Sequence, residues 1–218
     1  MSSDERTGFL YPFIDADERD SGALLADLAA SAEAKASASS ALQTATIERE
    51  GDALRAVAGA MAQRFTAGGR LFSFGNGGSA TDALTVAALF NRPPEGVALP
   101  ARSLVEDQAV LTALANDIGF EVVFSRQLIA HAAPHDIALG ISTSGTSRNV
   151  LVAFAEAKAR GLLTVGLAGY DGGELATSDT VDHCLVVRSD SVHRTQESQA
   201  VLAFELWRAV QVHVGAPS

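Results

Sequence analysis

The chain has 218 residues, the usual size of one domain; 47% are hydrophobic and 19% charged, so a sizeable core is within reach and a disordered chain is excluded. A formal net charge of −10 leaves no basic surplus to neutralise a phosphate backbone, so no direct nucleic-acid partner is expected, while a small anion held by backbone amides stays open. Cys184 is the single cysteine, which excludes an internal disulfide framework and fits a reducing, cytoplasmic setting.

The opening Met1-Ser2-Ser3-Asp4-Glu5-Arg6 has no apolar core behind a basic start, and is read as no signal peptide. No run reaches the roughly eighteen apolar residues of a membrane span, so no membrane segment is expected. Residues 1–19 are read as an N-terminal arm, polar except for Phe9-Leu10-Tyr11-Pro12-Phe13-Ile14. That cluster either packs on a neighbouring surface, such as another subunit, or belongs to a partly ordered arm. Residues 20–218 are read as one domain.

Leu24, Leu25, Leu28, Ala29, Ala32 and Ala36 recur at helical spacing, which predicts a helix over residues 20–46. A second helix is predicted over 48–67, with Leu54, Val57, Ala58, Met61, Ala62 and Phe65 on one stripe and Gly68-Gly69 at its end. Two uses are open for the long N-terminal helix: an oligomerisation element, or core packing within one subunit.

Leu71-Phe72-Ser73-Phe74 then reads as a buried strand. It runs into Gly75-Asn76-Gly77-Gly78-Ser79-Ala80 and an Ala-rich helix over 81–90. Strand, glycine turn and helix together present unpaired amides and the positive end of the helix dipole to an anion. Ser79 is expected to cap the helix and to offer its hydroxyl to the ligand. Asn91-Arg92-Pro93-Pro94-Glu95-Gly96 is a break, Val97–Leu99 a short strand, and 104–114 and 120–130 two helices.

The strand-to-helix design recurs at Ile137–Ile141, followed by Ser142-Thr143-Ser144-Gly145-Thr146-Ser147 and a helix over 148–160. The hydroxyls of Ser142, Ser144, Thr146 and Ser147 can donate and accept, which suits a phosphate bearing a sugar. A strand at 162–167, a turn at Gly169-Tyr170-Asp171-Gly172-Gly173, a short helix at 174–176, a strand at 184–187 and a helix over 194–213 complete the chain. Strands alternating with helices predict an α/β fold with a mainly parallel sheet and right-handed crossovers, its ligand outside the carboxyl ends of the strands.

Gly75-x-Gly77-x-x-Ala80 also matches a loose dinucleotide pattern, but Glu95, the acidic residue at the required spacing, lies in a Pro-rich turn. The lysine-bearing phosphate loop is absent. The two loops, with Ala115-Asn116-Asp117-Ile118-Gly119-Phe120, Phe124-Ser125-Arg126-Gln127, Gly169-Tyr170-Asp171-Gly172-Gly173 and Arg194-Thr195-Gln196-Glu197, resemble the sugar isomerase (SIS) domain, in its phosphoheptose isomerase branch. The resemblance covers roughly residues 35 to 210, in the family's order. It implies a three-layer αβα fold preceded by long N-terminal helices, a homo-oligomer, typically a tetramer, and a sugar phosphate held at sites completed by neighbouring subunits. The residues it points to are Asn76, Gly77, Gly78, Ser79, Asn116, Asp117, Ser142, Thr143, Ser144, Ser147 and Gln196. The branch also contains a non-catalytic relative that binds the replication initiator DnaA, so a protein partner is a second expectation.

The family's catalytic positions do not carry over. A His and a Glu follow the glycine loop in phosphoheptose isomerases, and counting from Gly75 they fall on Thr85 and Leu89. A second His, two turns beyond Gln196, falls on Phe204. Some members bind zinc through these groups, and only Gln196 remains here, so no metal or other cofactor is expected. Aldose–ketose isomerisation needs a positioned base. Glu197, Glu205, Asp117, His193 and Glu106 are the replacement candidates, each with an ordinary reading as a surface or capping residue. Two function classes follow: a phosphosugar-binding module that regulates or scaffolds, and a divergent isomerase with relocated catalysts.

Overall fold

A computed structural model describes residues 21–215; the expected arm at 1–19, with its Phe9–Ile14 cluster, lies outside the described residues. The chain divides into two compact units, Met1–Ser40 and Ala41–Ser218. The described part of the first is the start of helix α1, where Leu25 and Leu28 are exposed. The second carries the sheet and the remaining helices.

Helix α1 runs unbroken over Ser21–Thr66, so the two helices expected at 20–46 and 48–67 are one. No proline and no left-handed residue interrupts the junction, and the β-branched Thr46 and Ile47 cost a helix only tenths of a kcal/mol. Strand β1 is Leu71–Gly75, followed by α2, Gly78–Asn91, and β2, Ala101–Ser103. Helix α3, Gln108–Asp117, leads through a single 3-10 turn at Phe120–Val122 to α4, Val123–His131. Then come β3, Ile137–Ser142, and α5, Arg148–Ala159, then β4, Leu163–Gly169, a 3-10 turn at Gly173–Ala176, β5, His183–Val187, and α6, Val192–His213.

The strand expected at 97–99 is absent. Gln211 donates to the Val97 carbonyl and accepts from its amide, both at 2.9 Å, and the Leu99 amide donates to the Phe90 carbonyl. With those groups taken by a side chain and a helix end, the ladder forms four residues later, where Leu71–Ser73 pairs with Ala101–Ser103. Helix α3 starts four residues later than expected because Asp107 caps it, accepting from the Val110 amide at 3.0 Å.

All five strands are parallel, in the order β2-β1-β3-β4-β5. Their alternating side chains build one core on each face. Leu71, Ile137, Leu139, Ile141, Val165 and Leu167 pack with α2, α6 and the carboxyl half of α1. Phe72, Phe74, Ala138 and Ala168 pack with α4 and α5, where the Phe74, Phe124 and Phe154 rings meet at 5.4 Å. The result is the expected three-layer α/β arrangement. The order of strand addition reverses beside β1: β2 pairs on one edge and β3 on the other, which places a crevice at the carboxyl ends of β1 and β3. Among the described residues no helix is long and apolar enough to cross a membrane.

Candidate functional site

The two loops leave adjacent strands at one level, because Gly75 of β1 is in register with Ile141 of β3. Helix α2 departs to one face and α5 to the other, so both helix N-termini open on the same crevice. Gly77 occupies the N-cap of α2 with φ 56°, a backbone geometry that glycine reaches freely, and no side chain caps the helix. Ser79, expected as the cap, instead lies buried in the first turn. A backbone cap without a side-chain oxygen leaves the first amides of α2 free for an anion.

In the second loop Ser142, Ser144 and Ser147 converge. The Ser142 hydroxyl lies 2.9 Å from that of Ser147 and 3.5 Å from that of Ser144. Ser144 also accepts from the Thr146 hydroxyl at 3.0 Å. Ser147 is the N-cap of α5, but its hydroxyl faces Ser142 rather than the helix amides. Gly145 holds φ 66° in close approach to the next loop: a Cβ there would stand 2.1 Å from the Gly172 carbonyl oxygen. Thr143 accepts from the Gly169 amide through its backbone.

The loops are tied to each other by a residue that the sequence did not single out. Asn149, buried in the first turn of α5, exchanges two hydrogen bonds with Asn76, at 2.8 and 2.9 Å. Its only advance signal is an inward-facing amide in a helix's first turn. Gln196 of α6 packs on the glycine loop, its Nε2 lying 2.1 Å from where a Gly78 Cβ would be.

Helices α2 and α6 continue from that contact as a seam enclosing a cavity of about 200 Å³. Thr85, Leu89 and Phe204 all line it, so the three positions at which the resemblance expects proton-transfer and metal-binding groups do meet in space. The other lining residues are Asp82, Val86, Ile141, Gln199, Ala200 and Ala203. The Asp82 Oδ2 and both amide atoms of Gln199 have no hydrogen-bond partner in the protein. Desolvation pushes the Asp82 carboxyl up from its ordinary pKa of 3.8. Neither Asp82 nor Gln199 was among the expected site residues; their burial is created by the packing of α2 on α6.

The remaining candidates are dispersed. Asn116 donates to Asp117 at 2.8 Å at the exposed end of α3, in the opposite helical layer from α6. Glu106 pairs with Arg102 at 2.7 Å. Glu205 pairs with Arg208 at 3.0 Å and lines a separate cleft with Arg55 and Trp207. Glu197 and His193 lie on exposed positions of α6. The Cys184 thiol is pushed up to about 12 by burial and by the Glu50 carboxylate, so it is no nucleophile at neutral pH. Zinc needs several nitrogen, sulfur or carboxylate donors. Thr85, Leu89 and Phe204 offer none, and among the described residues no group of three or more His, Cys, Asp or Glu could hold a metal. The residues present do not fit the zinc of the metal-binding relatives.

The SIS domain profile matches residues 36–169. A phosphoheptose isomerase of Roseiflexus sp. is 42% identical over 170 residues, covering 76% of this chain and 84% of that protein. One of Solidesulfovibrio magneticus is 44% identical over 161 residues, covering 71% and 76%. The solved phosphoheptose isomerase of Neisseria gonorrhoeae superposes with a TM-score of 0.79 at 32% identity, over 85% of this chain and 99% of that one.

Proposed function

The chain belongs to the SIS domain family, and from that premise we propose that it is a phosphosugar-binding protein, like phosphoheptose isomerase in its phosphate cradle but without the usual proton-transfer residues. The observation that carries this reading is a contrast along one seam. At its head, three serine hydroxyls and the open amides of α2 converge beside β1 and β3. Further along, Thr85, Leu89 and Phe204 leave an apolar cavity. Hydroxyls and helix amides suit a phosphate. Leucine and phenylalanine cannot move a proton between sugar carbons.

In this reading the backbone of Asn76, Gly77 and Gly78, with Ser79, Ser142, Ser144 and Ser147, holds the phosphate. Thr143 shapes the second loop, Gln196 is assigned to the sugar end, and Asn116 and Asp117, which lie apart from the cradle within one chain, are assigned to a site completed by a neighbouring subunit. No metal and no other cofactor takes part. The protein works in the cytoplasm as a homo-oligomer, most readily a tetramer, and a protein partner would read the bound state.

Purified protein titrated with sedoheptulose 7-phosphate by calorimetry, alongside an isomerisation assay and metal analysis, tests the reading. Binding without zinc and with little turnover is expected. Ser144→Ala should weaken binding by about tenfold or more, since a hydrogen bond to a charged group contributes about 1.5–3 kcal/mol. Robust turnover abolished by Glu197→Gln or Glu205→Gln would show that the catalyst has moved, and the binding-protein reading would fail.

A further inference from the structure

We propose that the cleft between the carboxyl half of α1 and α6 is a docking groove, and that its occupant is the Phe9–Ile14 segment of a second copy of this chain. The groove is separate from the sugar-phosphate cradle: its α6 residues begin at Glu205, roughly 14 Å along the helix from Gln196. This docking is independent of what the cradle binds.

The cleft has a volume of about 410 Å³. Ile47, Gly51 and Leu54 of α1 line it with Trp207, Ala209 and Val212 of α6. Val212 is 68% exposed, a large apolar group open to water beside this carbon surface. Gly51 sets the depth. Glycine inside a helix is less stable than alanine. Packing within the chain does not require it, because a Cβ there would meet only the Arg55 Nη1, at an ordinary 3.6 Å. Its missing side chain leaves room for an occupant to approach the α1 backbone closely. The polar groups around the cleft are already engaged. Gln211 exchanges two hydrogen bonds with Val97, and Arg55 and Arg208 pair with Asp52 and Glu205. A small polar ligand gains little from groups so engaged, whereas an apolar segment gains by leaving water.

The run Phe9-Leu10-Tyr11-Pro12-Phe13-Ile14, outside the described residues, matches that chemistry with three aromatic rings and two aliphatic side chains in one short stretch. Pro12 has little backbone freedom to lose on being ordered. Both charge signs flank the run, Arg6 before it and Asp15 and Asp17 after it. The rim of the groove also carries both, Arg55 and Arg208 with Glu95 and Glu205. Chain length decides which copy supplies the segment. Because α1 is one unbroken helix from Ser21, that residue stands roughly 39 Å by helical rise from Ile47, at the near end of the groove. Ile14 precedes Ser21 by seven residues, a reach of at most roughly 25 Å. The segment cannot return to its own groove, so a neighbouring copy fills it.

Disulfide trapping on the full chain, in a Cys184→Ser background, tests this. Two differently tagged chains are co-expressed, one with Phe13→Cys and the other with Val212→Cys, and oxidised mildly. A disulfide-linked pair of unlike chains is expected. Its yield should be at least fivefold above that obtained when Ile129→Cys, an exposed position on α4 in the opposite layer, replaces Val212→Cys. Gly51→Leu fills the groove and should cut the yield at least fivefold. It should leave Tm equal or higher, since leucine suits a helix interior better than glycine. Phe9→Ser with Tyr11→Ser should cut the yield as far from the other side of the contact, which keeps the test decisive if Gly51→Leu does not fold. A yield no higher than the Ile129→Cys control overturns the docking. A yield unchanged by Gly51→Leu in a folded chain, or by the Phe9 and Tyr11 substitutions, overturns the assignment of segment to groove. A chain carrying both Phe13→Cys and Val212→Cys that closes on itself as a monomer overturns the second copy.

Discussion

Asp82 carries an energetic penalty that its position makes measurable. One of its carboxylate oxygens is buried without a partner, and desolvation raises its pKa above 3.8. A carboxyl whose folded pKa is raised binds its proton more tightly in the native than in the unfolded state. Stability is therefore lost as the pH rises from the unfolded value through the folded one, and the ionised group destabilises the protein at neutral pH. Asp82→Asn should raise Tm at pH 7, and thermal melts should show the gain shrinking as the pH falls through the raised folded pKa towards the unfolded value of about 4. A Tm that does not rise at pH 7 would remove the desolvated carboxylate. Asp182 has the opposite sign. Burial alone would raise it, but hydrogen bonds from Lys158 and from the Thr164 amide and hydroxyl hold it below its ordinary value. Its contribution is present above the unfolded pKa and fades as acid protonates it, so Asp182→Asn should lower Tm at pH 7 and matter less in acid.

At the scale of elements, the amide pair between Asn76 and Asn149 fastens the glycine loop to the first turn of α5. Each hydrogen bond of such a pair contributes about 0.5–1.5 kcal/mol, and a buried amide left alone loses about 1–3 kcal/mol. Asn76→Ala strands Asn149, which is only 4% exposed. The single substitutions at Asn76 and Asn149 should each destabilise by about 1–3 kcal/mol in urea unfolding, with the double variant well short of their sum. Additive losses would mean that the two loops are not coupled through this pair.

For the whole molecule, the distribution of exposed apolar groups argues for assembly. Leu25 and Leu28 of α1 are 66% and 55% exposed, and Ile118 and Phe120, between α3 and α4, are 55% and 59% exposed. Isolated exposed leucines are ordinary, but repeated large apolar groups on long elements mark surfaces that other copies cover. Light scattering at micromolar concentration should report a homo-oligomer, a tetramer on the proposal above, and substituting Leu25 and Leu28 by Asp should reduce its order. A monomeric wild-type chain would overturn both the assembly and any site shared between subunits.

The amino-acid sequence by itself determined the alternation of strands and helices and the two glycine- and hydroxyl-rich loops between them. Those features are local: Leu71–Phe74 and Ile137–Ile141 are apolar runs ended by glycines and hydroxyls, and each next segment has helical periodicity. The continuous α1 was misread as two helices because a change of stripe resembles a boundary when nothing shows what the helix packs on. The strand at 97–99 was misread because Gln211, 114 positions from Val97, takes that residue's backbone groups. Only the tertiary structure decided that β1 and β3 are neighbours in register, that Asn149 reaches Asn76, and that Asp82 and Gln199 share a cavity with Thr85, Leu89 and Phe204. Strand order, burial and an unpaired carboxylate come from contacts between distant segments. A residue type in a sequence fixes what chemistry is available, and the packing of α2 on α6 fixes which of those groups are dry, adjacent and free to meet a ligand.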